Sequence, residues 1–177
     1  MGEGLVETVQ GRLYVPYRNW LGKTASLFFR ELRERGRLMA TKCWKCEKVY
    51  MPPRSICPEC FMEMDQWIEL PTTGTLLTYT VVHYSYSDYY QPREAPYALG
   101  IVRLDGADTG LCHLLGEVDF RELRVGMRVE AVLKEERKGN ILDIAYFRPL
   151  REGSEGTNSS GSLSPEPCAG DPRRGQR

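Results

Sequence analysis

The sequence predicts a mainly β protein, in which an N-terminal helix and a four-cysteine metal ribbon precede a five-stranded barrel and a disordered C-terminal tail. Three observations carry that prediction. Two Cys-x-x-Cys pairs in CWKCEKVYMPPRSICPEC, residues 43–60, stand ten residues apart. From Trp67 onward, β-branched and aromatic runs alternate with turn residues. The last 27 residues are rich in Gly, Ser and Pro and nearly free of large apolar side chains.

In chain order, residues 1–36 read as an arm and a helix. RLYVPYRNWLG carries three aromatics on a segment interrupted by Pro16, as an extended arm would. KTASLFFRELRERGRL then places Phe28 and Leu32 on one helical face at i, i+4, with Leu27 beside them. Gly36 falls where a helix stops in a left-handed turn, and Phe29 points away from the Phe28 face. Such a helix either docks on a partner or folds back on its own protein.

Residues 37–70 form the ribbon. Thiolates are soft, anionic ligands, and each Cys-x-x-Cys pair grips one metal from a tight turn. Cys43, Cys46, Cys57 and Cys60 therefore suit one tetrahedral Zn²⁺. A catalytic zinc keeps a position open, and four thiolates leave none, so the expected metal is structural. A redox role needs a single Cys-x-x-Cys at a helix start, which two copies in a Pro-rich loop do not provide. Disulfides are disfavoured because nothing marks the chain as secreted.

Residues 71–150 are expected to form the barrel. TLLTYTVVHY, YALGIVRL, GLCHLLGEV, RVEAVLK and ILDIAYF give five strands, with Gly139-Asn140 as a tight turn between the last two. Five short strands suit a Greek-key barrel of the OB type, whose closure removes most exposed edges. Residues 151–177 bury too little apolar surface to offset the entropy of ordering and read as the disordered tail, with Cys168 an incidental thiol.

The chain carries 24 basic and 24 acidic residues, so no net field marks a nucleic-acid or membrane binder. No signal peptide, myristoylation start or membrane span is visible, and a cytoplasmic location is expected. The sequon at Asn158 carries no weight without secretion.

The ordered series C-x2-C, PPR, C-x2-C, W.EL, GT, Y.V, PY, LDGADT, GMRV and YF.P resembles one family, the zinc-ribbon/OB-fold proteins encoded beside thiolases and long grouped as a domain of unknown function. The resemblance covers residues 12–150 and implies a rubredoxin-like zinc ribbon, an OB-fold barrel and a structural Zn²⁺. It also implies a non-catalytic small subunit of a thiolase-type acyl-CoA C-acyltransferase, assembled with a thiolase-like subunit as a hetero-oligomer. Acyl-CoA or CoA would lie at the shared interface. The arm and LDGADT are most similar to members serving a degradative thiolase, such as a benzoylsuccinyl-CoA-type enzyme. One departure falls at Glu47, where many relatives have Gly after the knuckle; a left-handed turn there strains a residue with a Cβ.

Thiolase chemistry needs a Cys nucleophile with a base. Cys112 and His113 are neighbours on a strand, so their side chains point to opposite faces and form no pair. Cys112 is expected in packing, leaving His113 toward solvent or partner. No catalytic residue is assigned. The loop YSYSDYYQPREAPY, residues 84–97, is the expected ligand or partner contact, through Tyr86, Tyr89, Tyr90, Arg93 and Tyr97. The plainer alternative packs it over the barrel mouth. His83 at its start either bonds substrate or is structural. Arg54 either contacts a CoA phosphate or pairs with a carboxylate such as Glu59. Phe28, Phe29 and Leu32 complete the candidate contacts. The rival function, single-stranded nucleic-acid binding by a zinc-ribbon/OB module, meets two objections: Arg93 is the loop's one basic residue, and the chain has no net positive charge.

Overall fold

A computed structural model of the protein describes residues 19–85 and 93–150. The arm residues 1–18, the residues Tyr86, Tyr89 and Tyr90, and the expected tail with Cys168 lie outside the described residues. In order come α1 (Lys23–Arg35), β1 (Leu38–Lys42), β2 (Val49–Tyr50), β3 (Gln66–Leu70), β4 (Thr73–Val82), β5 (Tyr97–Leu104), β6 (Leu111–Leu115), β7 (Arg128–Leu133), a 3-10 turn (Ile141–Asp143) and β8 (Ile144–Pro149).

The amphipathic face foreseen for α1 is its core face: Phe28 and Leu32 are 2% and 0% exposed. The helix ends where Gly36 adopts φ 67°, and the amides of Gly36 and Arg37 return to the carbonyls of Leu32 and Glu31. Arg137, from the loop after β7, donates through Nε to the Arg33 carbonyl at 3.0 Å and so fastens the helix end to the barrel.

β1 pairs antiparallel with both β2 and β3, giving a three-stranded sheet ordered β2-β1-β3. The remaining strands close as β4-β5-β6-β8-β7, with β4 meeting β7 through Thr73–Thr75 and β6 meeting β8 in parallel at Leu115 and Phe147. This is the five-stranded OB barrel that the strand runs predict. One hydrophobic core runs through all three parts, from Phe28 and Leu32 through Leu38, Val49 and Met51 to Leu76, Val102, Ile144 and Phe147. Full burial of each such side chain contributes roughly 1.5–3 kcal/mol.

The LDGADT stretch is the seam between sheet and barrel. The amide of Asp108 donates to the Val49 carbonyl at 2.9 Å, and its Oδ2 accepts the Val49 amide at 2.8 Å. Thr109 Oγ1 accepts the Met51 amide at 2.8 Å and donates to the Met51 carbonyl at 2.9 Å. The loop thus serves β2 as a substitute strand partner. Asp105 faces the barrel, taking the Thr73 hydroxyl at 2.6 Å and both terminal nitrogens of Arg128 at 2.7 and 2.5 Å. The Arg128 guanidinium and the Thr73 hydroxyl hold its carboxyl below the usual range against the opposing effect of burial.

Two expectations need correction. Gly139-Asn140 is not a tight hairpin turn. The buried Asp143 carboxylate gathers the amides of Lys138, Gly139 and Asn140 at 2.9, 2.6 and 3.2 Å, and Asn140 caps the 3-10 turn by accepting the Leu142 amide. The second correction concerns β6: Cys112 is exposed and His113 is 6% exposed, the reverse of the expected faces. His113 lies in the barrel with its ring edge toward Phe147, centroids 6.0 Å apart, and Nε2 donates to the Ile141 carbonyl at 3.2 Å.

Candidate metal centre and contact surface

Both knuckles fold alike. The Cys43 amide donates to the Lys48 carbonyl and the Glu47 amide to the Cys43 carbonyl; Cys57 with Met62, and Phe61 with Cys57, repeat the pattern. The residue after each second cysteine is left-handed, Glu47 at φ 61° and Phe61 at φ 56°. The strain foreseen at Glu47 is therefore present, and the second knuckle shares it.

The fold brings the sulfur atoms of Cys43, Cys46, Cys57 and Cys60 within 4.8 Å of one another, with Cys46 and Cys57 at 3.7 Å. A tetrahedron with zinc–sulfur bonds of ~2.3 Å has edges of about 3.8 Å, so the donor set fits one Zn²⁺. Burial opposes ionisation of Cys57, but the Tyr50 hydroxyl and the amides of Cys60 and Glu59 outweigh it and bring that thiol to about 6. Burial and the neighbouring thiols push Cys60 up to about 12. Around the sulfurs the packing is thin: Cys43, Tyr50, Cys57 and Met64 make a separate small core. When bound, the zinc would bridge the two knuckles, and four thiolates leave it no position for substrate. Lys48 and Glu59 pair across the knuckles.

The other candidates separate. Phe28, Leu32 and Tyr97 are buried, at 2%, 0% and 3% exposure, which corrects their assignment as partner contacts: their side chains pack within this chain. Phe29 is half-buried, 5.1 Å from the Phe28 ring. His83 and Arg93 are exposed, on either side of the stretch 86–92. The fold does not pair Arg54 with Glu59, which Lys48 holds. Instead the Arg54 guanidinium lies over the Tyr50 ring, 5.8 Å from its centroid. Its backbone is gripped by Thr41 Oγ1, which accepts the Arg54 amide at 2.9 Å and donates to its carbonyl at 3.0 Å. Arg54 also lines a cavity of about 530 Å³ between the start of α1, Gly22–Ala25 with Lys23, and the loop Pro53–Ile56.

Sequence reasoning missed the apolar residues on the knuckle surface. Trp44, Ile56 and Phe61 are 53%, 53% and 81% exposed. The signal was present, because residues beside knuckle ligands have no interior to enter once the sulfurs converge. Among the described residues, no helix is long and apolar enough to cross a membrane.

Comparison with known proteins agrees with this construction. Residues 30–63 match the family model described as the ChsH2 rubredoxin-like zinc ribbon domain, and residues 67–134 match the ChsH2 C-terminal OB-fold domain. A "DUF35 domain-containing scaffold protein" of Methanocaldococcus jannaschii is 32% identical over 69% of this chain and 88% of its own length. A protein of the same description from Methanothermobacter thermautotrophicus is 26% identical over 68% of this chain and 92% of its own length. In fold, the chain is similar to one in the solved "Ltp2-ChsH2(DUF35) aldolase", with TM-score 0.55 and 24% identity over 75% of this chain and 98% of that one. It is also similar to a DUF35 protein of unknown function from Sulfolobus solfataricus, with TM-score 0.51 and 21% identity over 63% and 78% of the two chains. The four-thiol ribbon, the OB barrel joined to it and the relative from M. jannaschii together place this chain in the DUF35 family of zinc-ribbon/OB-fold proteins.

Proposed function

We propose that this chain is the non-catalytic small subunit of a thiolase-type acyl-CoA C-acyltransferase complex, assembling with a thiolase-like subunit and helping to shape its acyl-CoA site. The observation that carries the proposal is the tandem of ribbon and OB barrel, shared with relatives named as scaffold proteins. The described chemistry is consistent with it. Cys112 and His113 occupy opposite faces of β6, so the one adjacent thiol and imidazole outside the ribbon make no nucleophile and base. A closed four-thiolate zinc activates no water. The thiolase-like subunit therefore carries the reaction, and this chain contributes position.

Contact would run through Tyr86, Tyr89 and Tyr90 with the flanking His83 and Arg93, and through Phe29 on α1. The exposed Trp44 and Phe61 extend the same role to the knuckles. Arg54 and Lys23, beside the cavity at the start of α1, offer cations to a CoA phosphate. Central aromatic anchors of this kind contribute roughly 2 kcal/mol or more each.

Acyl-CoA cleavage should be measured with the thiolase-like subunit alone, with this chain alone and with both, each with and without free CoA. The expected result is CoA-consuming cleavage by the pair. Cleavage by the pair that consumes no CoA would replace thiolysis with the aldol chemistry named for the structural relative. Turnover by this chain alone, or full activity of the other subunit without it, overturns the proposal.

A further inference from the structure

The barrel leaves one strand half paired. β4 starts between β5 and β7, with Thr73–Thr75 against Glu130–Arg128, and Leu76 then bonds the loop at Gly126 and Met127. A bulge at Leu77 shifts the register between Leu76 and Thr78, and beyond it the strand parts from β7. Thr78–Val82 pair with Ile101–Tyr97 on one side. On the other side, among the described residues, no backbone–backbone hydrogen bond reaches them, although the Tyr79 hydroxyl donates to the Leu123 carbonyl at 2.7 Å. Successive residues of a strand aim their amides and carbonyls alternately left and right, so this half of β4 presents main-chain donors and acceptors that no described strand pairs.

Its composition is unlike that of a strand left to water. Proteins blunt free edges with short strands, charges or proline. The ribbon follows that rule: β3 carries Glu69 on the outer strand of its sheet, and β2 has only two residues and is covered by Asp108 and Thr109. Leu77–Val82, Leu-Thr-Tyr-Thr-Val-Val, has no charge and no proline, and its first four residues are all exposed. We propose that this edge pairs antiparallel with the same edge of a second copy of the chain, about a two-fold axis.

The edge is self-complementary, which favours a second copy as its occupant. Outward amides recur at every second residue, so an antiparallel two-fold pairing centres on a residue rather than between two. Centred on Tyr79, Leu77 faces Val81 and Thr78 faces Thr80; centred on Thr80, Thr78 faces Val82 and Tyr79 faces Val81. Each register opposes β-branched, aromatic or aliphatic side chains, and neither opposes like charges. The two copies would join β5, β4, β4 and β5 into one continuous ribbon of strands.

The test uses the full-length, zinc-loaded chain and needs no other subunit, so its outcome is independent of the proposed acyltransferase role. Molar mass measured by light scattering across a dilution series should show a dimer that dissociates on dilution. Thr78→Lys/Thr80→Lys and Thr78→Glu/Thr80→Glu each set like charges opposite one another in both registers, and each should raise the dimer Kd roughly a hundredfold or more. Mixing the Lys and Glu variants should restore a heterodimer at low salt that weakens as salt is added. Thermal melting checks that the variants fold, and Thr80→Lys alone serves as a milder version. A wild-type chain monomeric throughout, or charged variants that dimerise as tightly as wild type, would refute the proposal. Loss of binding to a different subunit by the charged variants of a monomeric chain would also refute it, and would assign the edge to that subunit.

Discussion

The knuckles and the barrel have separate cores, and the two are held together by different forces. The barrel buries aliphatic and aromatic side chains from every strand, with Leu76, Val102, Ile144 and Phe147 all at 0% exposure. The knuckles bury Cys43, Tyr50, Cys57 and Met64, two of which are candidate ligands. One region is stabilised by apolar area removed from water, the other by bonds to a metal. The difference shows that a family motif can be strict in two ways: the ribbon tolerates little change in donor atoms, and the barrel little change in volume.

Removing the metal should separate the two regions most sharply. The purified chain should contain about one zinc. Chelation, or Cys43→Ser, should abolish hydrogen-exchange protection in residues 43–63 while β5 and β6 keep theirs, because zinc binding stabilises small ribbons by roughly 10 kcal/mol or more at neutral pH. Equal loss in both regions would show that the barrel depends on the knuckles.

A smaller effect, in the barrel, should come from Asp143. Burial raises its pKa, but the amides of Lys138, Gly139 and Asn140 outweigh that and leave it below the ordinary carboxylate value. A carboxyl with a depressed folded-state pKa contributes stability that is fully present above the unfolded value of about 3.9 and lost as pH falls through the folded one. Asp143→Asn should cost roughly 1–3 kcal/mol at pH 7 and flatten the acid limb of stability against pH. A variant with an unchanged limb would remove the carboxylate from that account.

The smallest effect should be a gain. Glu47→Gly relieves a left-handed residue and should stabilise the first knuckle by about 0.5–1 kcal/mol, read as slower zinc release to a chelator. Faster release would mean that the Glu47 side chain contributes more than its backbone costs.

The sequence made local features readable and left long-range ones hidden. Cysteine spacing picked out the four thiols that the fold brings together, and YALGIVRL coincides with β5, Tyr97–Leu104. Strand alternation separated Cys112 from His113 but could not say which faced inward, since Leu111 and Leu115 accompany His113 while Leu114 accompanies Cys112. Inward placement carries a burden: desolvation lowers the His113 pKa, and Nδ1 has no hydrogen-bond partner. Composition therefore favoured the other face. The Asp143 loop was missed because three amides converging on one carboxylate leave no periodic trace. The bulge that frees half of β4 is likewise invisible in a uniform β-branched run.

The seam at Asp108 and Thr109 also dictates an order of events during synthesis. The Val49 amide finds its acceptor 59 residues further along the chain. All four cysteines have left the ribosome well before that acceptor is made, so metal capture can come first. The second strand of the ribbon must then wait, one side uncovered, until the stretch following β5 emerges. A nascent chain stalled before Asp108 would hold its zinc and still lack a finished ribbon.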